Sequence, residues 1–341
     1  MSAKQNKLYL PAGWVNPARI FGSSCPIVIC LGGRGIGKTY GCLSYIHQHK
    51  IPFVYMRRTQ AQLDAVSIPA LNPFNQVAAD QGFTMSCKKS SKYSVEFRSG
   101  EDPDQPPDGI GIALSTFANI RGMSAERYDV LLFDEIIPER HERPIKEESS
   151  AFLNVIESIN RNRELSGKGP MKIILLSNTN TISSKILDSI GATMVIDKMI
   201  RRGQQVHRIG DLIEVIRYTD SPISEKKSGT LLYQIANNAD FVDMSINNKF
   251  SASDFEAVRL QPLAEYVPLV IVAGVTVYRH KSLDRYYIVD RPHTGIKEYG
   301  KLPLALKEFR KKYYYLYKQL ITGHIYYNSI KSKMIFEDIW R

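Results

Sequence analysis

One stretch of twelve residues, CLGGRGIGKTYG at residues 30–41, constrains the fold of this chain more than any other feature. It fits the pattern G-x-x-x-x-G-K-[ST] in full, and an apolar run at residues 26–31 precedes it. In such a loop the glycines let backbone N–H groups turn inward and cradle phosphate oxygens. The helix that follows directs its positive N-terminal end at the same oxygens. The sequence therefore predicts a phosphate-binding loop between a buried strand and a helix that begins near Lys38.

This loop assigns roles to particular side chains. Lys38 is expected to reach the β and γ phosphates of a nucleotide, and Thr39 is expected to bind Mg²⁺ through its hydroxyl. Arg34 could contact phosphates, contact a neighbouring element or remain solvated, and its role stays open. The candidate nucleotide-binding residues are the whole loop: Gly32, Gly33, Arg34, Gly35, Ile36, Gly37, Lys38 and Thr39.

Two acidic residues, Asp134 and Glu135, end the apolar segment YDVLLFDEIIPE. A buried strand does not need acids, so their position at its carboxyl end indicates chemistry. In a P-loop enzyme the first acid holds Mg²⁺ and the second polarises the attacking water as a general base. The adjacent Glu indicates an ATPase of the additional-strand, catalytic-Glu class. The sequence contains no Asn-Lys-x-Asp motif for guanine recognition.

A third apolar segment, KIILLSNT, ends in Ser177 and Asn178. In this architecture an Asn at that position lies beside the γ phosphate and can sense it or orient water. The alternative is an Asn that only caps a strand-to-loop turn. Asn178 is therefore a candidate catalytic residue with a structural alternative.

The first two-thirds of the chain alternate apolar strands, at residues 27–31, 53–56, 130–133 and 173–176, with helical patterns. This alternation predicts an α/β fold with a mostly parallel sheet covered by helices. Between the second and third strands, the segment YSVEFRSGEDPDQPPDGIGIAL predicts a hairpin-like insertion of two short strands around an acidic, Pro-rich loop at residues 99–109.

The pattern changes after about residue 221, and three regions are predicted. Residues 1–222 form a P-loop ATPase domain, residues 223–250 a short helical linker, and residues 251–341 a small α+β domain. The last region contains a first strand candidate, VPLVIVAGVTVY, a second, RYYIVD, and one helix candidate, LALKEFRKKYYYLYKQL.

Composition narrows the class of protein. Of the 341 residues, 43% are hydrophobic, and the net charge is +11, which favours a polyanionic partner such as nucleic acid or a membrane surface. The four cysteines form no C-x-x-C pair, so a disulfide framework or zinc site is not expected. The N-terminus lacks a signal-peptide pattern, and no apolar run is long enough to span a bilayer. A cytosolic location is expected.

Together, the segments GGRGIGKT, FVYMRR, ANIRGMS, LLFDE, INRNRE and LLSN resemble the genome-packaging ATPases of phages. The similarity is greatest to the DNA-packaging motors of phi-29-like phages and extends to the large terminase subunits of tailed phages. It implies an ATP- and Mg²⁺-dependent ATPase that translocates viral double-stranded DNA into a preformed capsid. It also implies a homo-oligomeric ring, a pentamer, at the portal (connector) vertex of the prohead in the host cytoplasm, absent from the mature virion. Whether a structural packaging RNA takes part stays open.

The same resemblance implies that active sites lie between ring subunits and that a neighbour supplies an arginine to the γ phosphate. Arg161, in INRNRE, matches the arginine finger of the family, and Arg121, in ANIRGMS, matches a second basic position facing the site. Arg161 also has a structural reading. The segment EESSAFLNVIESINRNREL predicts an amphipathic helix, and an Arg near a helix C-terminus is favoured by the macrodipole alone.

The resemblance makes residues 251–341 an RNase H-like, nuclease-related domain that has lost cutting. The first strand candidate carries no acid, and Asp290 alone cannot assemble a two-metal site. This region holds 15 Lys and Arg against 9 Asp and Glu, a net charge of +6. Its helix candidate interleaves lysines with tyrosines, which suits sequence-independent contacts with phosphates. There are two alternatives to DNA contact. The tyrosines could pack in the core while the lysines are only solvated, or the same charge could face RNA or an acidic portal surface.

Two other functions fit parts of the sequence. One is a cellular P-loop DNA-dependent ATPase such as a helicase loader, against which the IRG and NRNRE stretches argue. The other is a nucleic-acid-binding subunit that holds ATP as a structural ligand. Glu135 argues against it, because a binding module does not use a general base.

Overall fold

A computed structural model of the protein describes residues 7–100, 102, 104–120, 122–123, 125–138, 142, 145–161, 163–178, 184–219, 221–223, 230–231 and 257–340. The described residues fall into two compact units. The first belongs to Met1–Asn180 and Met199–Lys249, and the second to Thr181–Lys198 and Phe250–Arg341. The linker predicted at residues 223–250 lies outside the described residues except at positions 223, 230 and 231, so the three-region division stays a prediction.

The strands of the first unit are β1 (Ile27–Gly32), β2 (Phe53–Arg57), β3 (Ser86–Lys89), β4 (Ser94–Arg98), β5 (Gly109–Ala113), β6 (Val130–Phe133), β7 (Lys172–Ser177), β8 (Val206–Ile209) and β9 (Ile213–Tyr218). The strands of the second unit are β10 (Tyr266–Val272), β11 (Val275–His280), β12 (Tyr286–Val289), β13 (Glu298–Tyr299) and β14 (Ile325–Tyr327).

The α-helices within the described residues are α1 (Pro17–Phe21), α2 (Lys38–Gln48), α3 (Gln60–Val66), α4 (Asn75–Gln81), α5 (Glu148–Asn160), α6 (Lys185–Ser189), α7 (Thr193–Arg201), α8 (Pro303–Lys312), α9 (Tyr314–Ile321) and α10 (Ile330–Asp338). Short 3-10 helices cover Pro69–Leu71, Leu114–Ile120 and Leu263–Glu265. None of these helices is long and apolar enough to cross a membrane.

The sheet of the first unit has the strand order β3-β4-β5-β2-β6-β7-β1-β9-β8 within the described residues. The central pairs, from β5 through β9, are all parallel, and the pairs at both edges are antiparallel. Every residue of β6 and β9 is buried, as expected of parallel strands that are covered on both faces. The predicted mostly parallel α/β fold is confirmed.

One strand separates the two strands that carry the nucleotide-binding motifs. β7 pairs with β1, which leads into the phosphate-binding loop, and with β6, which ends before Asp134. This is the additional strand that the Glu after Asp134 indicated. Because parallel strands present their carboxyl ends at one sheet edge, the residues after β1, β6 and β7 meet there.

The segment predicted as a hairpin-like insertion belongs to the main sheet. β4 and β5 form the expected antiparallel pair, but β5 also pairs in parallel with β2. The predicted pair of strands therefore forms, and it is part of the main sheet. The two strands extend the sheet because the five residues of β5 are apolar or glycine and completely buried.

The second unit has a five-stranded sheet in the order β13-β10-β11-β12-β14. β10, β11 and β12 form an antiparallel meander, and β13 pairs in parallel with β10. This arrangement is consistent with the predicted RNase H-like sheet.

Two elements of this unit differ from the sequence prediction. The run VPLVIVAGVTVY forms two strands, β10 and β11, joined by a two-residue turn at Ala273 and Gly274, which both have positive φ. The stretch LALKEFRKKYYYLYKQL forms two helices, because Tyr313 leaves the helical conformation between α8 and α9. Its side chain is buried and stacks on Phe309, with 5.1 Å between ring centroids.

Candidate active site

The phosphate-binding loop connects the end of β1 to the first residue of α2, as the sequence predicts. Gly37 has a φ of 89°, a conformation that residues with a Cβ rarely adopt. A Cβ on Gly32 would lie 2.7 Å from Ile36 Cδ1 and 2.8 Å from Tyr218 Cβ. Glycine is therefore required at both ends of the loop, for its conformation at one end and for close packing at the other.

The ammonium group of Lys38 lies inside the loop. Its Nζ donates hydrogen bonds to the carbonyl oxygens of Gly32 and Gly33, at 2.8 and 2.7 Å, and to Asn178 Oδ1 at 3.2 Å. Lys38 is buried, and these bonds satisfy its donors. The last of them joins the residue after β7 to the loop, so the placement of Asn178 agrees with a position beside the phosphates.

The carboxylate of Asp134 faces the start of α2. Thr39 Oγ1 donates a hydrogen bond to Asp134 Oδ1 at 3.0 Å, and the Tyr55 hydroxyl donates one to Oδ2 at 3.0 Å. Burial raises the pKa of Asp134 above its ordinary value, although the nearby Arg57 guanidinium lowers it. The hydroxyl and the carboxylate expected to hold Mg²⁺ are thus adjacent.

Glu135 follows in a strained conformation. Its φ is 56°, which is uncommon for a residue with a side chain and recurs at functional sites. The side chain is 42% exposed, and one carboxylate oxygen accepts a hydrogen bond from Arg57 Nη2 at 2.6 Å. The carboxylate of Glu135 is thus open to solvent, whereas that of Asp134 is buried, and Arg57 contacts both.

These groups surround one cleft. Its lining consists of Arg34, Gly35, Gly37, Lys38, Thr39, Tyr40, Asp134, Glu135, Ser177 and Asn178. Of the remaining predicted loop residues, Gly32 and Gly33 contact Lys38 through their carbonyl oxygens, and Ile36 is buried. Arg34 is half-buried. The structure therefore brings together the predicted loop, both acids and Asn178.

Arg161 does not line this cleft. It immediately follows α5, has a φ of 37° and is exposed. No partner for its side chain is found in the part of the chain that the structure describes. Arg121, the other candidate finger, lies outside the described residues.

Arg163, two positions after Arg161, is anchored in contrast. Its guanidinium donates hydrogen bonds to the carbonyl oxygens of Glu126 and Tyr128 and to the carboxylate of Asp129, at 3.2, 2.8 and 2.9 Å. One arginine of the NRNRE stretch thus holds the loop before β6, while the other projects into solvent.

Sequence reasoning missed two arginines at the end of β2. Arg57 donates hydrogen bonds to both Asp134, at 3.2 Å, and Glu135. Burial alone would lower the pKa of Arg57, but Tyr55 and the two acids raise it above the ordinary value. Arg58 is buried and pairs with Glu148, the first residue of α5. The segment FVYMRR contained both arginines, but nothing in it identified their partners.

In the second unit, Asp290 serves the local structure. One carboxylate oxygen accepts a hydrogen bond from Asn328 Nδ2 at 2.6 Å, and the other accepts one from Ser329 Oγ at 3.0 Å. The tyrosines of LALKEFRKKYYYLYKQL differ in exposure: Tyr313 is buried, whereas Tyr314 is 55% exposed. The lysines at positions 307, 311, 312 and 318 are all exposed.

Comparisons with known proteins agree with this fold. The family model described as "Podovirus DNA encapsidation protein (Gp16)" matches residues 11–277. The phi-28 gp11 DNA-packaging motor is a similar solved structure, with a TM-score of 0.63, 17% identity and coverage of 96% of both chains. The phi-29 viral genome packaging motor assembly also has a TM-score of 0.63 and 17% identity, over 98% of this chain and 99% of that one. No curated protein sequence matches the chain.

The two structural likenesses concern the fold, and the family match covers well over half of the chain. The cleft adds a phosphate-binding loop, a Thr–Asp pair and a Glu next to that Asp, which are the parts that ATP hydrolysis uses in P-loop proteins. The chain belongs to the podovirus DNA encapsidation protein (Gp16) family, and it is an ATPase that drives the packaging of viral DNA.

Proposed function

We propose that the cleft beside the phosphate-binding loop binds ATP with Mg²⁺, and that its hydrolysis is completed by a neighbouring subunit in a ring at the portal vertex. The observation that carries the proposal is the arrangement of Lys38, Thr39, Asp134 and Glu135 around one cleft. The ring moves double-stranded DNA into the capsid. Four further parts of the proposal come from the resemblance alone: a ring of five subunits, a packaging RNA, a location in the host cytoplasm and absence from the mature virion.

Thr39 and Asp134 suit a Mg²⁺ ion. Both offer oxygen ligands, which Mg²⁺ prefers, and the two oxygens lie 3.0 Å apart. When bound, the ion would neutralise charge on the phosphate oxygens. Lys38 would leave its contacts with the loop carbonyls to bind the phosphates, and Asn178, which already contacts its Nζ, would follow the γ phosphate.

Glu135 is the proposed general base. Its carboxylate is the more exposed of the two acids, so water can reach it, whereas that of Asp134 is enclosed by Thr39 and Tyr55. In the present arrangement Arg57 holds Glu135 by an ion pair. Catalysis requires that this pair open, because the carboxylate oxygen that Arg57 engages then becomes available to accept a proton from water.

Arg161 is the proposed finger acting on the γ phosphate of a neighbouring subunit. Its exposure and its position after α5 support this role, as does the contrast with the anchored Arg163. An arginine supplied in trans typically stabilises the transition state enough to raise kcat by a factor of about 10³–10⁵. Arg121 is the second candidate.

We propose residues 1–222 as the ATPase domain, residues 223–250 as the linker and residues 251–341 as a domain that grips nucleic acid without cutting it. The exposed lysines of α8 and α9 support gripping, since phosphate contacts by Lys are independent of sequence. The partly exposed tyrosines Tyr314 and Tyr315 lie beside them.

The test is DNA-stimulated hydrolysis of ATP by the full-length chain. Lys38→Ala should weaken nucleotide binding and abolish turnover. Glu135→Gln should still bind ATP with Mg²⁺ but hydrolyse it about 10²–10⁴-fold more slowly. Wild-type turnover by Glu135→Gln would rule out Glu135 as the base. Hydrolysis without any response to DNA would contradict coupling to DNA movement and favour a structural role of ATP.

A further inference from the structure

Helix α5 begins and ends at strained residues. Glu147, just before it, has a φ of 51°, and Arg161, just after it, has a φ of 37°. Within the described part of the chain, only five non-glycine residues have positive φ, and Glu135 is a third member of that set. Such conformations persist only where surrounding contacts enforce them. The residues that flank α5 and the proposed base thus share a backbone conformation that residues with a Cβ rarely adopt.

A buried guanidinium connects the start of α5 to the turn that carries Glu135. Arg58 is 1% exposed and pairs with Glu148, which is also buried. Its Nη1 also donates a hydrogen bond to the carbonyl oxygen of Ile136 at 3.1 Å. Ile136 directly follows Glu135, so one side chain joins the helix to the backbone next to the proposed base.

The neighbouring residue in sequence reaches the same turn by another route. Arg57 holds the carboxylate of Glu135 at 2.6 Å, whereas Arg58 holds the backbone after it and Glu148. The two arginines are consecutive residues at the end of β2, so a displacement of the backbone at Arg58 also moves Arg57. The structure shows the Arg57–Glu135 pair closed. A coupling element requires a second discrete arrangement, which for this pair would be the open one.

The body of α5 is suited to transmit a displacement. Phe152, Val155 and Ile159 are buried along one face, and the Phe152 ring lies 6.1 Å from that of Phe133 on β6. A helix of 13 residues extends about 20 Å at the usual rise. A helix packed along its length moves as a unit, so a shift at Arg161 reaches Glu148.

We propose that Arg58 is a positioning residue that couples Arg161, through α5, to the base of its own subunit. The proposal rests on the finger role proposed for Arg161. Engagement of Arg161 with a neighbour's nucleotide displaces α5. Arg58 then shifts the turn after β6 and opens the Arg57–Glu135 pair. The site of one subunit thereby responds to nucleotide in the next.

The test is a double-mutant cycle in the assembled full-length protein with DNA present. Glu148→Gln keeps the shape of the side chain and removes its charge. We expect it to lower kcat about 10-fold in the wild-type background, the scale of a typical coupling free energy. In an Arg161→Ala background it should have almost no further effect. The decrease in melting temperature that Glu148→Gln causes should be the same in both backgrounds.

Glu157→Gln is the matched control, because Glu157 is an exposed Glu on the same helix. It should change neither kcat nor the melting temperature. If Glu148→Gln does not fold, Arg58→Lys takes its place in the cycle, since it keeps the buried charge and loses the planar fork of donors. The same non-additive result is expected.

Equal fold losses of kcat in both backgrounds would mean that the Arg58–Glu148 pair only supports the fold, and they would overturn the coupling alone. Wild-type turnover by Arg161→Ala itself would overturn the finger role and, with it, the coupling. The two failures are therefore distinguishable.

Discussion

The guanidinium of Arg57 lies 2.6 Å from the carboxylate of Glu135, and this ion pair joins the end of β2 to the strained residue after Asp134. Its Nη1 holds Asp134 at 3.2 Å as well. In this arrangement the proposed base is neutralised by a cation of its own subunit. The proposed mechanism therefore requires that the pair open.

We predict that Arg57→Gln raises turnover in the absence of DNA by about five-fold and lowers the ratio of DNA-stimulated to basal turnover. The pair is partly exposed, and such pairs contribute about 1 kcal/mol at most, which sets the size of the effect. Steady-state ATPase assays with and without DNA measure this ratio. An unchanged ratio would mean that opening the pair does not limit turnover.

The finger proposal predicts complementation between defective subunits. Arg161→Ala subunits alone should bind ATP but hydrolyse it slowly, and so should Glu135→Gln subunits. Mixtures should regain part of the activity, because some interfaces then combine an intact arginine with an intact base. ATPase activity measured across mixing ratios tests this. Recovery with Arg121→Ala instead would move the finger to Arg121, and no recovery at any ratio would contradict a shared site.

Arg163→Ala is the matched control for that experiment. Because Arg163 is buried on the carbonyls of Glu126 and Tyr128, its loss leaves acceptors unpaired. It should lower the melting temperature, as a loss of about 1–3 kcal/mol implies. Arg161→Ala should leave the melting temperature almost unchanged.

A buried ion pair that does not line the cleft predicts acid sensitivity. The guanidinium of Arg19 binds both carboxylate oxygens of Glu214 at 2.8 and 2.9 Å, and Glu214 is 2% exposed. Burial would raise the pKa of Glu214, but hydrogen bonds from Arg19 and Ser23, together with the charge of Arg19, lower it to about 2, from an ordinary 4.5. The stabilisation is therefore complete above about pH 4.5 and is lost as the pH falls toward 2.

Glu214→Gln should destabilise the protein by about 3–5 kcal/mol at pH 7, because Arg19 is left buried without its counter-charge. At pH 3 the difference from the wild type should be smaller, since part of the stabilisation is already lost there. Urea unfolding at the two pH values measures both differences. If Glu214→Gln lowered the free energy of unfolding equally at pH 7 and pH 3, the result would contradict the lowered pKa of Glu214.

The gripping role predicts a dependence on salt. Replacing Lys307, Lys311 and Lys312 by Gln in the full-length chain should weaken DNA binding and reduce the slope of log K against log salt by about one unit per lost contact. The control removes three exposed lysines of the first unit, Lys88, Lys92 and Lys168. Equal losses in the two variants would indicate a general effect of charge, and DNA cut in the presence of Mn²⁺ would contradict a domain without nuclease activity.

Most of the cleft could be predicted because its residues follow apolar strands within short motifs. Asp134 and Asn178 each stand directly after such a run, and Lys38 follows another at the end of the glycine loop. Parallel strands bring their carboxyl ends together. Arg57 could not be assigned, because its partner lies 78 positions away and the pairing depends on β2 lying beside β6. The helix break at Tyr313 was also not predicted, because no Gly or Pro marks it in the sequence. The stacking of Tyr313 on Phe309 is visible only in the folded structure.

The hairpin between β10 and β11 places an alanine where the backbone favours Gly or Asn. Ala273 has a φ of 51° next to Gly274, and a Cβ in that region costs about 1–2 kcal/mol. The turn closes strands of the second unit and takes no part in the nucleotide cleft. Ala273→Asn or Ala273→Gly should therefore raise the free energy of unfolding without changing the catalytic cycle. Such a subunit would be better suited to long assembly and imaging experiments.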